Sequence, residues 1–200
     1  MSKHFTVKNI LLFFAFLLVI SVSETKAQLT EADWNSIIPL LRAEDWPKAE
    51  KMSAQPLKKI KPKEDTMYDA SNLRYMYLVS VAGELGHKDI DQKEALKKVK
   101  HLVGKRIITP GRKYDSKCIF NCWKVDSTGV FFCCRANDIG TELQIFETFE
   151  MNDTTFFADR AMLEQRNFRI MATIKEIKTG GQTFPHFEIR FTDALLGSDD

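Results

Sequence analysis

Residues 117–137, KCIFNCWKVDSTGVFFCCRAN, decide the fold of the C-terminal half of this 200-residue chain and hold all four of its cysteines. Two runs of β-forming residues flank the turn-forming cluster at 126–129, so the stretch is predicted to form a β-hairpin. The predicted register places Trp123 opposite Phe132 and Val125 opposite Val130. These apolar pairs predict the face of the hairpin that packs on the core.

The cysteine spacing argues against a metal site. Zinc sites are typically built on C-x2-C pairs, whereas Cys118 and Cys122 lie four residues apart, about 13 Å on an extended strand. The predicted register instead places Cys122 opposite Cys133, at a separation that a disulfide can bridge. Cys122 and Cys133 are therefore the candidate disulfide, with buried free thiols as the alternative. No metal and no cofactor are predicted.

The N-terminus has the layout of a secretory signal peptide. Lys3 and Lys8 precede an apolar run at 10–22, which is followed by a polar segment ending at Ala27. Cleavage there would make Gln28 the first mature residue, while an uncleaved anchor is the alternative. Because the apolar run is shorter than the ~20 residues that span a bilayer, no transmembrane span is expected after cleavage. The protein is predicted to be secreted or periplasmic.

Net charge bears on the class of partner. Residues 1–27 carry three lysines and one glutamate, so their removal lowers the formal charge from +2 to zero (2 − 3 + 1). Nucleic-acid binding depends on neutralising phosphates with an excess of basic residues. A neutral mature chain therefore argues against nucleic acid as the partner.

Residues 28–104 show helical periodicity and predict four helices. Asp45 followed by Pro47 is typical of a helix start, and so is Asp91 with Glu94 three residues later. The four helices form two hairpins that resemble a pair of tetratricopeptide units in length and order. The signature residues of that repeat are not reproduced, so its peptide-binding groove is not implied.

Beyond Gly104 the periodicity changes to two, which predicts strands. A first strand, the cysteine hairpin and a further strand at 141–149 are followed by a short helix at 156–166 and a closing hairpin. A turn at 179–182 would pair Ala172 with Ile189 and Ile170 with Phe191. Apolar residues then lie opposite apolar residues throughout the closing hairpin.

This order of elements resembles a known small barrel. The segment entering the first strand at 103–107, the helix at 157–163 and the closing strands at 170–177 and 187–195 are similar to those of an OB-fold domain, of the kind found in bacterial envelope proteins. For residues 105–197 the resemblance implies an OB-like five-stranded antiparallel barrel with one helix. With the signal peptide (1–27) and the helical domain (28–104) predicted above, the chain is expected to be an α+β protein. The resemblance implies no particular function.

Two surfaces are candidates for binding. A basic junction joins the helical and β regions, and a polar face is predicted on the last strand, where His186, Glu188 and Arg190 alternate with core residues. The ordinary interpretation of both is solvated surface. The candidate binding residues are Lys98, Lys105, Arg106, Arg112, Lys113, Lys175, His186, Glu188 and Arg190.

The sequence contains no recognised nucleophile, metalloprotease, phosphate-loop or dinucleotide-binding motif. No catalytic residue is therefore assigned, and the chain is predicted to be a non-catalytic binding or adaptor module. The expected partner is an envelope protein or an anionic polymer of the envelope. Two alternatives stay open: an enzyme of unrecognised type using the polar face around His186, and a structural envelope component.

Overall fold

The structure is a computed structural model that describes residues 31–126, 128, 130–137, 140–153, 163–164 and 166–198. The predicted signal peptide lies outside the described residues. So does nearly all of the helix predicted at 156–166, of which only Leu163, Glu164 and Arg166 are described.

The N-terminal half is helical, as the sequence predicts. The α-helices are α1 (Glu31–Arg42), α2 (Trp46–Leu57), α3 (Tyr68–Gly86) and α4 (Gln92–Val99), with short 3-10 turns at Pro62–Glu64 and Lys100–Leu102. Pro47 lies in the first turn of α2, where its missing N–H costs nothing. The Asp91 carboxylate accepts a hydrogen bond from the Glu94 amide at 2.7 Å and caps α4. Both predicted helix starts are confirmed.

Helix α3 is the centre of the molecule. It packs against the other three helices and against the sheet, and it buries residues on every side, including Arg74 and Glu84. A helix enclosed in this way shows little amphipathic contrast, because every face contacts protein. One hydrophobic core contains residues of α2, α3, α4 and the sheet.

The C-terminal half forms one mixed sheet. Its strands are β1 (Arg106–Ile108), β2 (Arg112–Lys113), β3 (Lys124–Val125), β4 (Phe131–Ala136), β5 (Leu143–Met151), β6 (Asn167–Gly180) and β7 (His186–Ser198). The strand order is β1-β6-β7-β5-β4-β3, and β2 pairs with β6 beyond β1. Strands β5 and β7 pair in parallel, while every other described pair is antiparallel.

The predicted α+β fold is therefore confirmed, but the prediction of a purely antiparallel sheet is wrong. The sheet is open along its hydrogen-bonded path. The two edges of the sheet approach each other at an isolated β-bridge between Tyr114, which follows β2, and Trp123, which precedes β3.

The cysteine hairpin is present, but its predicted register is wrong by one residue. Lys124 pairs with Phe132 and Val125 with Phe131. Phe131 and Cys133 consequently face the core, together with Trp123, while Phe132 faces outward. Residues 131–134 are apolar in both alternating sets, so the sequence pattern does not select between the two registers.

The predicted Cys122–Cys133 disulfide is wrong for the same reason. Cys122 is bridged to Cys118, with a Cα separation of 5.9 Å, because the chain turns at Asn121 (φ 59°) instead of continuing as a straight strand. Cys133 and Cys134 are free thiols. Burial raises the pKa of the Cys133 thiol to about 12, so this side chain behaves as a small apolar core residue.

The closing hairpin also has a different register from the predicted one. Phe191 pairs with Ile174 and Ile189 with Ile177, because the loop spans 181–185 instead of a tight turn at 179–182 and the ladder contains two bulges. Val103, at the end of the helical half, is 46% exposed. The left-handed Gly104 (φ 80°) turns the chain there, and Leu102 is buried in its place.

Candidate binding surface

The basic junction does not form a free cationic patch. The Lys98 ammonium lies 2.8 Å from a Glu84 carboxylate oxygen and 3.7 Å from one of Glu50. Lys105 pairs with Asp65 at 2.9 Å. These lysines are neutralised within the fold, which removes much of the positive field that an anionic polymer would need.

Arg112 lies in the interior, so its assignment to a binding surface is wrong. Its guanidinium forms an ion pair with Glu147 and donates a hydrogen bond to the Tyr75 hydroxyl. It also lies 4.6 Å from the centre of the Trp123 ring, a cation–π arrangement. Burial is the largest single influence and opposes the charged form of Arg112, but the charge of Glu147, its hydrogen bond and the other neighbouring groups together outweigh burial and raise the pKa of Arg112. Arg112 thus joins the sheet to α3.

The remaining basic candidates stay at the surface. Lys113 is exposed and Arg106 is half-buried. The Arg106 backbone carbonyl accepts a hydrogen bond from Arg74 at 3.0 Å, which fixes the start of β1 to α3.

The polar face of β7 divides into two separate clusters. His186 Nε2 lies 3.7 Å from a Glu188 carboxylate oxygen, and His186 Nδ1 lies 2.7 Å from the Phe184 carbonyl oxygen. The His186 ring packs edge-on against the Phe146 ring. Arg190 instead pairs with Glu150 at 2.8 Å. Acid–base catalysis requires such groups to converge in a sheltered site, and the side chains of Glu188 and Arg190 are both more than half exposed.

Glu150 holds the second cluster together. Its carboxylate accepts hydrogen bonds from Lys175 at 2.9 Å and from Arg190 at 2.8 Å. These bonds, from Lys175 and then Arg190, lower the pKa of Glu150. The cluster is a cross-strand charge network on an exposed sheet face.

The Lys175→Met variant is expected to raise the pKa of Glu150 toward its ordinary value, measured by NMR titration of the side-chain carboxyl. A lowered folded-state pKa stabilises the fold above the unfolded pKa, and this stabilisation is lost as pH falls through the folded value. Because solvent screens the exposed Glu150 carboxylate, the loss of unfolding free energy on acidification should differ between variant and wild type by less than about 1 kcal/mol. An unchanged Glu150 titration would contradict the assignment of Lys175 as a partner.

A contiguous group of large apolar side chains is exposed on the outer face of the sheet, and we name it the apolar band. Ile119 and Phe184 are the most exposed members, at 73% and 62%. The band comprises Ile119, Phe120, Phe132, Phe146 and Phe184.

The strand pairing makes the band continuous. Phe146 on β5 lies opposite Cys134 on β4, and Phe132 lies two residues before Cys134 on the same face. On one side, the Asn121 amide donates to the Cys134 carbonyl at 2.9 Å, which brings Ile119 and Phe120 of the disulfide loop alongside β4. On the other side, Phe146 contacts His186, whose ring reaches the backbone of Phe184.

A groove of about 570 Å³ opens at the Phe132 end of the band. Phe132 and Val125 supply apolar walls, and Lys124, Asp126 and Glu164 supply charges. An apolar strip with polar groups at its edge is typical of protein-interaction surfaces. The sequence analysis missed this surface, although the FFCC run at 131–134 requires apolar side chains to project from both faces of the strand.

Among the described residues, no cluster of three or more histidine, cysteine, aspartate or glutamate side chains has an arrangement that could hold a metal ion. Within the same part of the chain, no helix combines the length and the apolar character needed to cross a membrane.

No protein-family model matches the chain, and no curated protein or solved structure matches it either.

Proposed function

We propose that this chain is a secreted or periplasmic, non-catalytic adaptor module whose apolar band binds a protein of the cell envelope. The observation that carries the proposal is the continuous exposure of Ile119 and four phenylalanines across the disulfide loop, β4, β5 and the loop before β7. Exposed apolar patches rimmed by polar residues mark interaction sites, and aromatic side chains are enriched where protein interfaces are most tightly packed.

The strand order supports an OB-like reading of the sheet. In an OB-like numbering, β1 and β2 together form an interrupted first strand, and β4, β5, β6 and β7 are strands two to five. The parallel pair, β5 and β7, then corresponds to strands three and five. OB-folds bind ligands through the face of strands two and three and the flanking loops. In this chain that face is the outer side of β4 and β5, where the apolar band lies.

Charge favours a protein over an anionic polymer. Lys98, Lys105 and Arg112 have acidic partners inside the fold, and the outer face alternates cations with Glu150 and Glu188. Anionic polymers are bound by accumulated positive charge, whereas a protein interface needs an apolar centre with a polar rim.

Two features support the proposed compartment. The leader at 1–27 has the organisation of a signal peptide, and the Cys118–Cys122 disulfide suits an oxidising environment such as the periplasm. The enzyme alternative around His186 lacks converging groups, and a purely structural role leaves the exposed band unexplained.

Replacing three members of the band is expected to weaken partner binding at least tenfold, about 1.4 kcal/mol, because buried aromatic residues dominate interface energies. The variant combines Phe120→Ser, Phe132→Thr and Phe146→Thr. The partner would be identified by cross-linking in envelope fractions, then purified and titrated calorimetrically against each variant.

A matched control replaces three exposed apolar residues outside the band with threonine: Met67, Val103 and Leu195. Its affinity should equal that of the wild type. A second control changes the exposed Lys97, Lys100 and Lys113 to glutamate. Loss of binding in either control, with the band variant unaffected, would refute the proposed function.

A further inference from the structure

Cys134 lies across the ladder from the disulfide loop. Lys124 of β3 pairs with Phe132 of β4. Cys122 lies two residues before Lys124, just outside β3, and Cys134 lies two residues after Phe132 on β4. The 2.9 Å hydrogen bond from the Asn121 amide to the Cys134 carbonyl places the bridged loop directly against this point of β4. Extending the β3–β4 register by two residues, together with this hydrogen bond, indicates that Cys134, not Cys133, is the free cysteine nearest to Cys122.

Side-chain direction separates the two free thiols. Cys133 faces the core and is 2% exposed, whereas Cys134 follows Phe132 on the outward face and is only partly buried. Paired residues in an antiparallel ladder have Cα atoms roughly 4.5–5.5 Å apart, within the range that a disulfide spans. Cys134 is thus the free thiol on the same side of β4 as the bridge.

We propose that Cys134 is an internal exchange partner of the disulfide, so that the Cys118–Cys122 bridge can convert into a Cys122–Cys134 bridge. The Cys134 thiolate attacks the Sγ atom of Cys122, and the Cys122–Cys134 bond forms as the Cys118–Cys122 bond breaks. Cys118 leaves as a thiolate and takes up the proton that Cys134 gave to solvent. One disulfide is present before and after, so the step needs no external oxidant or reductant.

The resting environment keeps this exchange slow. Burial, and then the charge of Glu147, raise the pKa of the Cys134 thiol to about 11. Because only the thiolate attacks a disulfide, the Cys118–Cys122 form persists near neutral pH. Greater exposure of Cys134 to solvent accelerates the exchange.

The exchange alters the surface that the chain presents. In the Cys122–Cys134 form, residues 118–121 are no longer closed into a loop, so Ile119 and Phe120 leave their fixed place at the end of the apolar band. The effect on partner binding rests on the proposed function. The exchange itself does not, since disulfide mapping reads it without a partner.

The first test is the Cys118→Ser variant, oxidised with glutathione disulfide, which accepts the two electrons released. We expect Cys122 and Cys134 to become linked, seen as a joined peptide in non-reducing digestion and as the loss of both residues from alkylation. In a matched Cys118→Ser, Cys134→Ser variant, Cys122 should stay free or carry glutathione. A Cys118→Ser protein that keeps its circular-dichroism spectrum but leaves Cys122 and Cys134 both free, or links Cys122 to Cys133, would overturn the proposal.

A second measurement uses the wild type, and it tests the exchange even if the Cys118→Ser variant does not fold. Incubation at mildly alkaline pH without reductant, followed by acid quenching and alkylation, should give increasing label on Cys118 and an equal loss of label on Cys134. A Cys118 that never becomes labelled would overturn the proposal. Exchange that leaves partner binding unchanged would count against the proposed function alone.

Discussion

The Arg112→Met variant should lose about 3–5 kcal/mol of unfolding free energy, the usual cost of removing one partner from a buried ion pair. Arg112 and Glu147 have side chains 4% and 0% exposed. Removal of the guanidinium leaves the buried Glu147 carboxylate without its ion-pair partner, and among the described residues the Tyr75 hydroxyl still donates a hydrogen bond to it at 2.7 Å. It also removes the cation from the Trp123 ring.

Urea unfolding, followed separately by helical circular dichroism and by tryptophan fluorescence, measures the loss. Because Tyr75 on α3 and Arg112 and Glu147 on the sheet belong to one network, both signals should shift together. The double variant Arg112→Met, Glu147→Met should recover much of the stability, since no charge is left unpaired. A loss below about 1 kcal/mol in the single variant would show that the pair is not buried in solution.

The second large effect is expected from Gly83→Ala, at about 3 kcal/mol of destabilisation. Gly83 lies where α3 crosses α2, and the indole of Trp46 rests on it. A Cβ atom there would approach Cγ and Cε2 of Trp46 to 2.5 and 2.6 Å, well inside ordinary contact distances of 3.4–4 Å. Alanine would favour the helix by up to about 1 kcal/mol, but Trp46 is 2% exposed and is packed in the hydrophobic core, so moving it away is costly.

Gly86→Ala on the same helix is the matched control, because its Cβ would meet only the Leu143 carbonyl oxygen, at 3.2 Å. Its effect on the urea midpoint should be much smaller. Adding Trp46→Leu to Gly83→Ala should cost less than the sum of the two single changes, since the shorter side chain relieves the overlap. Additive costs in this cycle would contradict the contact between Trp46 and Gly83.

Local signals in the sequence predicted the helical half well. The Asp91 cap on the Glu94 amide and Pro47 in the first turn of α2 act within a few residues, so these helix starts do not depend on the rest of the fold. The sequence pattern does not indicate that α3 lies at the centre of the molecule. Its buried Arg74 and Glu84 resemble surface residues until their partners Asp65 and Lys98 are known.

Register was the property that the sequence could not determine. In the hairpin at 117–137, apolar residues occupy both faces of β4, so a shift of one residue exchanges Phe131 for Phe132 in the core without an obvious penalty. The left-handed Asn121, which permits the Cys118–Cys122 bridge, has no unique sequence signature. In the closing hairpin, bulges let several registers pair apolar with apolar residues.

The candidate site was predicted only in part, and for a related reason. Arg112 was grouped with its basic neighbours because its partner, Glu147, lies 35 residues away in sequence. The exposed Phe132 is predicted to face the core because alternation alone does not show which face of the strand is covered. Whether a side chain can bind a partner depends on the strand face that it occupies and on the residues that contact it, and tertiary structure determines both.

Hydrogen–deuterium exchange of the purified complex with the envelope partner tests the central claim most directly. The account predicts that partner binding slows amide exchange at 118–122, along β4 and β5 and in the loop at 181–185, while exchange at 97–113 is unchanged. Protection confined to the basic junction at 97–113, with the apolar band exchanging as in the free protein, would contradict it.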